Sequence, residues 1–114
     1  LGAAGKGDIG TWFPPSDPAH RNRPSIEFLR TVREILERDG WRIGNVDITI
    51  LAEVPRIGPK ADAMRAAIAA GLGIDASQVG IKAATNERMG FVGREEGIAA
   101  QAVALIRRPR SERR

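Results

Sequence analysis

The sequence predicts an α/β (α+β) fold of two layers, in which helices cover one face of a sheet. Two observations give this class. Apolar residues recur at helical spacing in two separate segments, and each of these is followed by a segment in which apolar and polar residues alternate. The predicted order is helix, strand, helix, strand, loop and final strand, and a sheet in this arrangement buries its apolar face against the helices.

The segment before the first helix, residues 7–24, is rich in Pro, Gly and Asp. Its prolines do not fit a helix interior, so we expect an extended surface loop. The first helix is predicted to follow, with Ser25 as its N-cap and Gly40 as its C-terminal stop. The apolar stripe of this helix consists of Ile26, Leu29, Val32, Ile35 and Leu36.

Two segments alternate with a period of two residues and are predicted strands. The first begins at Asn45 and ends at Pro55, and the second covers residues 79–83. The residues that point to one side are Val46, Ile48, Ile50 and Ala52 in the first strand, and Val79, Ile81 and Ala83 in the second.

The second helix is predicted to follow Pro59, which suits a first helical turn, and to end at Gly71 and Gly73. A short capped turn at Asp75–Gln78 leads into the second strand. The segment 98–106 is ambiguous from propensity alone, because its alanines suit a helix while small inward residues also fit a strand. A strand would complete the predicted order.

The composition limits the chemistry that this chain can perform. Its 114 residues are near the size of one domain and are enough to bury one core. It contains no cysteine and one histidine, so neither a disulfide framework nor a thiolate metal site can form. A catalytic zinc site commonly takes about three protein ligands, often including several histidines, and this chain cannot supply them alone.

The positive charge of the chain is confined to its C-terminal end. The net charge is +4, and residues 107–114 contain five arginines and one glutamate, so the preceding body is neutral. A nucleic-acid-binding domain spreads basic charge over a face or groove. We therefore expect one domain over residues 1–106, a disordered basic tail over 107–114 and no nucleic-acid partner; nucleic-acid binding through the tail is the weaker alternative.

No apolar run approaches the roughly 20 residues that span a bilayer. We therefore expect no membrane partner and a cytoplasmic location.

Two loops carry polar groups in positions that suit a ligand. The segment GDIGTWFPPSDP holds Asp8 and Asp17 on a proline-stiffened loop, which either positions them for binding or is a capping and turn loop. The segment AEVPRIGP follows the first strand, and ligands in α/β sheets often bind beyond the carboxyl ends of strands. Backbone groups there could read the edge of a base, or the segment could be a plain connection.

A third polar segment follows the second strand. The Thr85 hydroxyl could bind a phosphate, the Glu87 carboxylate could hold Mg²⁺, and the Arg94 guanidinium could bind an anion. The alternative is a glycine-rich turn with surface charges. His20 lies between alanine and arginine in AHRNR, and we expect it to be solvated surface without a role.

Four segments together resemble one protein family. They are GDIG…FPPSDP, GNVDITILAEVPRIGP, MRAAIAAGLG and IKAATNERMGFVGREEGIAAQAVAL, and their order and spacing are similar to those of the 2-C-methyl-D-erythritol 2,4-cyclodiphosphate synthase family. The resemblance extends from Leu1 to about Ile106. The GNVD sequence before an alternating strand and the later GFxGRxEGIA pattern are its specific motifs.

The resemblance implies a lyase of the non-mevalonate isoprenoid pathway. It implies conversion of 4-diphosphocytidyl-2-C-methyl-D-erythritol 2-phosphate to the 2,4-cyclodiphosphate with release of CMP. It also implies a homotrimer around a sheet-lined axis, with active sites between subunits and an axial cavity that can take an isoprenoid diphosphate. The implied cofactors are zinc on one side of the substrate and Mg or Mn on the diphosphate.

The resemblance also implies roles for individual residues of this sequence. Thr85 would be catalytic by steadying the phosphates, and Glu87 would hold the Mg or Mn ion. Phe91 and Arg94 would face the axial cavity. The methylerythritol part would contact Asp8, Gly10, Phe13 and Asp17, and the cytosine pocket would be lined by Ala52, Arg56 and Ile57.

The sequence departs from the family pattern in several places. Pro15 stands where an acidic residue is common, Arg56 where lysine is common and Ala84 where threonine is common. Arg56 keeps the charge but changes the donor geometry. The family's zinc ligands lie in an N-terminal segment that this sequence does not contain, so we expect the chain to be a C-terminal portion that is inactive alone. A non-catalytic trimeric ligand-binding module is the alternative interpretation.

Overall fold

The three-dimensional structure is a computed structural model, and it describes residues 1–53, 56–84, 90, 94 and 97–110. The predicted order of helices and strands is confirmed over these residues. The helices and strands are α1 (Ile9–Trp12), α2 (Ser25–Arg38), β1 (Arg42–Leu51), α3 (Ala61–Leu72), β2 (Val79–Ala84) and β3 (Ala99–Arg107). Short 3-10 turns occupy Gly2–Ala4, Pro18–His20, Gly58–Lys60 and Ala76–Gln78.

The sheet is mixed and has the strand order β2-β1-β3. β1 and β2 are parallel, with Leu51 opposite Ala84 at their carboxyl ends. β1 and β3 are antiparallel, with Leu51 opposite Ala99 and an irregularity between Ile43 and Asn45. The chain segments that leave β1 and β2, and the one that enters β3, therefore meet at one edge of the sheet.

The prediction that the last element is a strand is confirmed. β3 pairs with the whole length of β1, from Arg42 opposite Arg107 to Leu51 opposite Ala99. Pairing with a distant strand satisfies the backbone of this segment and overrides the helix preference of its alanines. β3 includes Arg107, the first residue of the predicted basic tail.

One face of the sheet is buried in part, along β1 and β2, and the other face is open. Ile50 and Val79 are buried on the side that alternation predicts. On the opposite side of β3, Val103 is 72% exposed and Leu105 is 64% exposed. The structure is thus an α/β fold with a small mixed sheet, in agreement with the predicted class. The described residues leave one face of this sheet uncovered.

The two ends of α2 differ in how they are capped. The N-cap position is Pro24 and no side chain caps it, so the prediction that Ser25 is the cap is wrong: Ser25 is the first helical residue. At the other end Gly40 has φ +80°, and the Trp41 amide donates to the Leu36 carbonyl over 2.9 Å. This is a Schellman motif, and the predicted stop at Gly40 is confirmed.

Gly71 does not end α3 as predicted, because it lies inside the last turn of the helix. A Cβ atom at Gly71 would lie 3.0 Å from Ile26 Cδ1, so the missing side chain allows α2 to pack closely against α3. The helix ends at Gly73, whose φ of +67° favours glycine. No helix in the described ranges is both long enough and apolar enough to cross a membrane.

Candidate functional site

Asp8 caps the short helix α1, which interrupts the predicted extended loop. Its Oδ1 atom accepts hydrogen bonds from the Thr11 amide over 3.0 Å and from the Thr11 hydroxyl over 2.9 Å. The amide bond, with the hydroxyl bond second, holds the pKa of Asp8 below its usual value. Asp8 is therefore an exposed, ionised carboxylate, and both bonds leave its Oδ2 atom for another donor. Gly10 lies within the same helical turn.

An aromatic cluster anchors the loop between Asp8 and Asp17. Phe13 is buried, and its ring centroid lies 4.8 Å from that of Phe28 and 5.5 Å from that of His20. Asp17 follows the buried ring and accepts a hydrogen bond from the Ala19 amide over 2.9 Å. The loop that carries both aspartates is therefore tied to α2 through Phe28.

His20 is the residue that sequence reasoning missed. Its side chain is 16% exposed and its Nε2 atom lies 3.5 Å from Asp17 Oδ2, so the prediction that His20 is solvated surface is wrong. The ring packs against Phe13 and Phe28, and its Nδ1 atom is buried without a hydrogen-bond partner. The local sequence carries no signal of this burial, because the rings of Phe13 and Phe28 that contact His20 lie several residues away on either side.

The cytosine-pocket candidates follow β1 at the carboxyl edge of the sheet. Ala52 is buried, and its amide donates to the Ala84 carbonyl over 3.1 Å. That amide joins the ends of β1 and β2, so a backbone contact to a base would come from other groups of this segment. Arg56 is exposed, and Ile57 is the N-cap residue of the turn Gly58–Lys60.

The candidates in the third polar segment lie mainly outside the described residues. Thr85, Glu87 and Phe91 belong to this group, and their roles remain predictions. Arg94 is described: it is exposed, and its amide donates to the Gly90 carbonyl over 3.0 Å.

The structure brings the candidates together in two groups. One is the anchored loop of residues 8–17, and the other is the carboxyl edge with residues 52–57. Within the part of the chain that the structure describes, no hydrogen bond or ion pair joins these two groups. The described candidates of one chain therefore form two separate groups.

The described residues do not form a metal site. No group of three or more His, Asp or Glu residues in these ranges lies close enough together to hold a metal ion. The described residues therefore offer no ligand set for zinc, and Glu87, the predicted Mg or Mn ligand, lies outside them.

The fold defines the class of the protein: an α/β domain with a small mixed sheet. The sequence profile of the YgbB family matches residues 1–107, and the chain belongs to that family. The resemblance stated from the sequence motifs is confirmed.

The similar proteins are enzymes by name. The chain is 60% identical over 106 residues to the 2-C-methyl-D-erythritol 2,4-cyclodiphosphate synthase of Symbiobacterium thermophilum, covering 93% of this chain and 68% of that protein. The corresponding enzyme of Thioalkalivibrio sulfidiphilus is 55% identical, and the chain spans 66% of it. The chain thus spans about two thirds of these curated relatives, and an enzyme family is favoured over a non-catalytic binding module.

A solved structure gives the same result for the fold. IspF of Plasmodium falciparum in complex with CDP superposes with a TM-score of 0.81 at 35% identity, covering 97% of this chain and 65% of that one. At that identity the likeness extends beyond general architecture, and the α/β prediction is confirmed.

Proposed function

We propose that this chain is the substrate-binding part of a cytoplasmic 2-C-methyl-D-erythritol 2,4-cyclodiphosphate synthase. The reaction converts 4-diphosphocytidyl-2-C-methyl-D-erythritol 2-phosphate to the cyclic diphosphate and CMP. Family membership over residues 1–107 supports the activity. The observation that carries the site is the parallel register of β1 and β2, because it starts the cytosine and phosphate segments side by side at Leu51 and Ala84.

The reaction is an intramolecular phosphoryl transfer. An oxygen of the 2-phosphate forms a bond to the β-phosphorus, the bond from that phosphorus to the cytidylate oxygen breaks, and the electron pair leaves with CMP. Holding the two phosphates together accounts for much of the rate acceleration, because it replaces an encounter in solution with a fixed geometry. The binding surfaces of this chain provide that geometry.

The anchored loop holds the methylerythritol part. Asp8 is suited to accept a hydrogen bond from a sugar-like hydroxyl, because its carboxylate is ionised and Oδ2 is not used by Thr11. The aromatic packing of Phe13 keeps Gly10 and Asp17 in fixed positions, which lowers the entropy lost on binding.

The carboxyl edge of the sheet holds the nucleotide. The buried side chain of Ala52, the exposed guanidinium of Arg56 and the half-buried Ile57 line the proposed cytosine pocket. The Thr85 hydroxyl hydrogen-bonds to the phosphates in the transition state. Glu87 is the proposed ligand of Mg or Mn, no zinc ligand is assigned to this chain, and bound cations would neutralise phosphate charge.

The working unit is proposed to be a homotrimer. The anchored loop and the carboxyl edge are not joined within one chain, and adjacent copies would bring one of each together. The open face of β3, with exposed Val103 and Leu105, supplies apolar area for such an assembly. Phe91 and Arg94 would face its axis, where an isoprenoid diphosphate would bind. We propose neither a nucleic-acid nor a membrane partner.

The test is calorimetric titration of CDP into the chain with and without Mg²⁺, after measurement of its mass by light scattering. A trimer that binds CDP only with Mg²⁺ supports the proposal. Glu87→Ala should abolish this binding, while Glu34→Ala, which removes an exposed glutamate from α2, should leave it unchanged. A stable trimer that does not bind CDP would contradict the assignment.

A further inference from the structure

A second concave surface lies at the end of the sheet opposite the nucleotide edge. It is a cavity of about 180 Å³ between the end of α2, the start of β1 and the end of β3. Three arginines line it, Arg33, Arg42 and Arg107, together with Trp41. The remaining lining includes apolar side chains, among them Leu36, Ile43, Leu72 and Ile74. We call this surface the arginine pocket.

Two of the arginines are placed against each other by the sheet register. Arg42 and Arg107 are directly opposite residues of the antiparallel pair β1–β3, so their side chains leave the same face side by side. Like charges in this position destabilise a sheet. None of the ion pairs within the described part of the chain involves either residue. An anion between them would remove the repulsion.

The acidic residues nearby are already paired with other cations. Glu37, the one carboxylate that lines the pocket among described residues, accepts a hydrogen bond from Arg33 Nε over 2.9 Å. Asp39 lies 3.3 Å from the Lys6 ammonium and 3.4 Å from the Arg108 guanidinium. Neither carboxylate therefore neutralises Arg42 or Arg107.

Arg33, the third arginine, packs against the backbone of Gly73. A Cβ atom at Gly73 would lie 2.3 Å from Arg33 Cζ, so the guanidinium rests against bare backbone at the end of α3. Beside the pocket, the Arg108 guanidinium stacks on the Trp41 ring at 4.5 Å. Arg33 and Arg108 are thus held by packing, and little of the entropy of these two side chains remains to be lost on binding.

We propose that the arginine pocket binds the phosphate or diphosphate group of a small molecule. Guanidinium groups match the oxygens of such anions with paired hydrogen bonds. The cavity is smaller than the roughly 300 Å³ of pockets that enclose whole drug-sized ligands, so it suits an anionic group and not a complete nucleotide. β1 spans its ten residues at about 3.3 Å each, which separates this site from the nucleotide edge by roughly 30 Å.

The test is titration of inorganic pyrophosphate into the full chain without divalent cations, followed by amide NMR shifts. We expect saturable shifts at Trp41, Ile43, Gly73 and Arg107. Arg42→Gln and Arg107→Gln should each weaken binding roughly tenfold or more, as expected for loss of charge-assisted hydrogen bonds. Arg21→Gln, which removes an exposed arginine from the loop before α2, should bind as the unsubstituted chain does.

The controls separate binding in the arginine pocket from binding elsewhere on the chain. Arg42→Gln and Arg107→Gln should each unfold at the same temperature as the unsubstituted chain or higher, because each removes a like-charge contact. Equal affinity in all four proteins, shifts confined to residues 108–110, or no binding would overturn the proposal. So would binding of a short oligonucleotide without binding of pyrophosphate. Because the titration omits Mg²⁺ and CDP, its result is independent of the proposed synthase activity.

Discussion

The imidazole Nε2 atom of His20 lies 3.5 Å from Oδ2 of Asp17, three residues earlier in the chain. The same ring packs against Phe13 at 5.5 Å and Phe28 at 5.8 Å between centroids. His20 therefore joins a proposed substrate-binding aspartate to the aromatic cluster that anchors its loop. His20 thereby helps to hold Asp17, which is proposed to bind the substrate, in its position.

Replacement of His20 by Ala is expected to loosen this loop. The change removes both ring contacts and the partner of Asp17, and should lower the free energy of unfolding by about 1–2 kcal/mol. Denaturant unfolding measures that loss, and hydrogen exchange at residues 16–20 should become faster. His20→Phe keeps an aromatic ring and should recover most of the stability, while Arg21→Ala should have little effect. Unchanged hydrogen exchange in His20→Ala would show that the pair does not hold the loop.

Acid is expected to destabilise the fold through three exposed aspartates. The pKa of each is held low by hydrogen bonds: Asp8 by Thr11, Asp39 by Lys6 and Asp75 by the Ser77 amide. A carboxylate whose pKa is lower in the folded state binds fewer protons there than in the unfolded chain. The carboxylate therefore contributes fully to the free energy of unfolding above its pKa in the unfolded chain. This contribution is lost as the pH falls through its pKa in the folded protein.

Unfolding titrations should show this directly. The contribution of the three aspartates should be constant above about pH 5 and should fall below roughly pH 4, near the unfolded pKa of aspartate. The triple variant Asp8→Asn, Asp39→Asn, Asp75→Asn cannot ionise at these positions and should lose less stability on acidification. If the free energy of unfolding fell equally with pH in both proteins, the acid sensitivity would come from other groups.

A valine at Gly71 is expected to separate the two long helices. The added Cβ would lie 3.0 Å from Ile26 Cδ1 and 3.2 Å from Ile26 Cγ1, before the valine methyl groups are counted. Such overpacking costs about 1–3 kcal/mol, measured by denaturant unfolding. Ala70→Val places the same side chain on the exposed side of α3 and is the matched control. Equal stability of the two variants would mean that the helices do not pack closely at Gly71.

The features that could be predicted from the sequence are those that depend on neighbouring residues. The stop of α2 at Gly40 needs only a residue that tolerates positive φ. The capping box at Asp75–Gln78 needs two side chains three residues apart, and both of its hydrogen bonds are present. The apolar stripe of α2 likewise predicted the burial of Ile35 and Leu36.

The incorrect predictions concern residues whose environment comes from elsewhere in the chain. Ser25 has the chemistry of a cap, yet the extended backbone of Pro24 places the helix start one residue earlier. Gly71 resembles a helix stop, but it meets Ile26 of another helix. His20 has the polarity of a surface residue, but the ring of Phe28 covers it.

The sequence by itself determined the order of the elements, the periodicity of their buried faces and, through its motifs, the family. Only the tertiary structure decided that β3 pairs antiparallel with β1, that His20 lies against Asp17 and that Arg42 faces Arg107. The physical reason is the range of the interactions. Periodicity and caps act over a few residues, whereas strand register joins positions 65 residues apart, from 42 to 107, and follows from the packing of the whole chain.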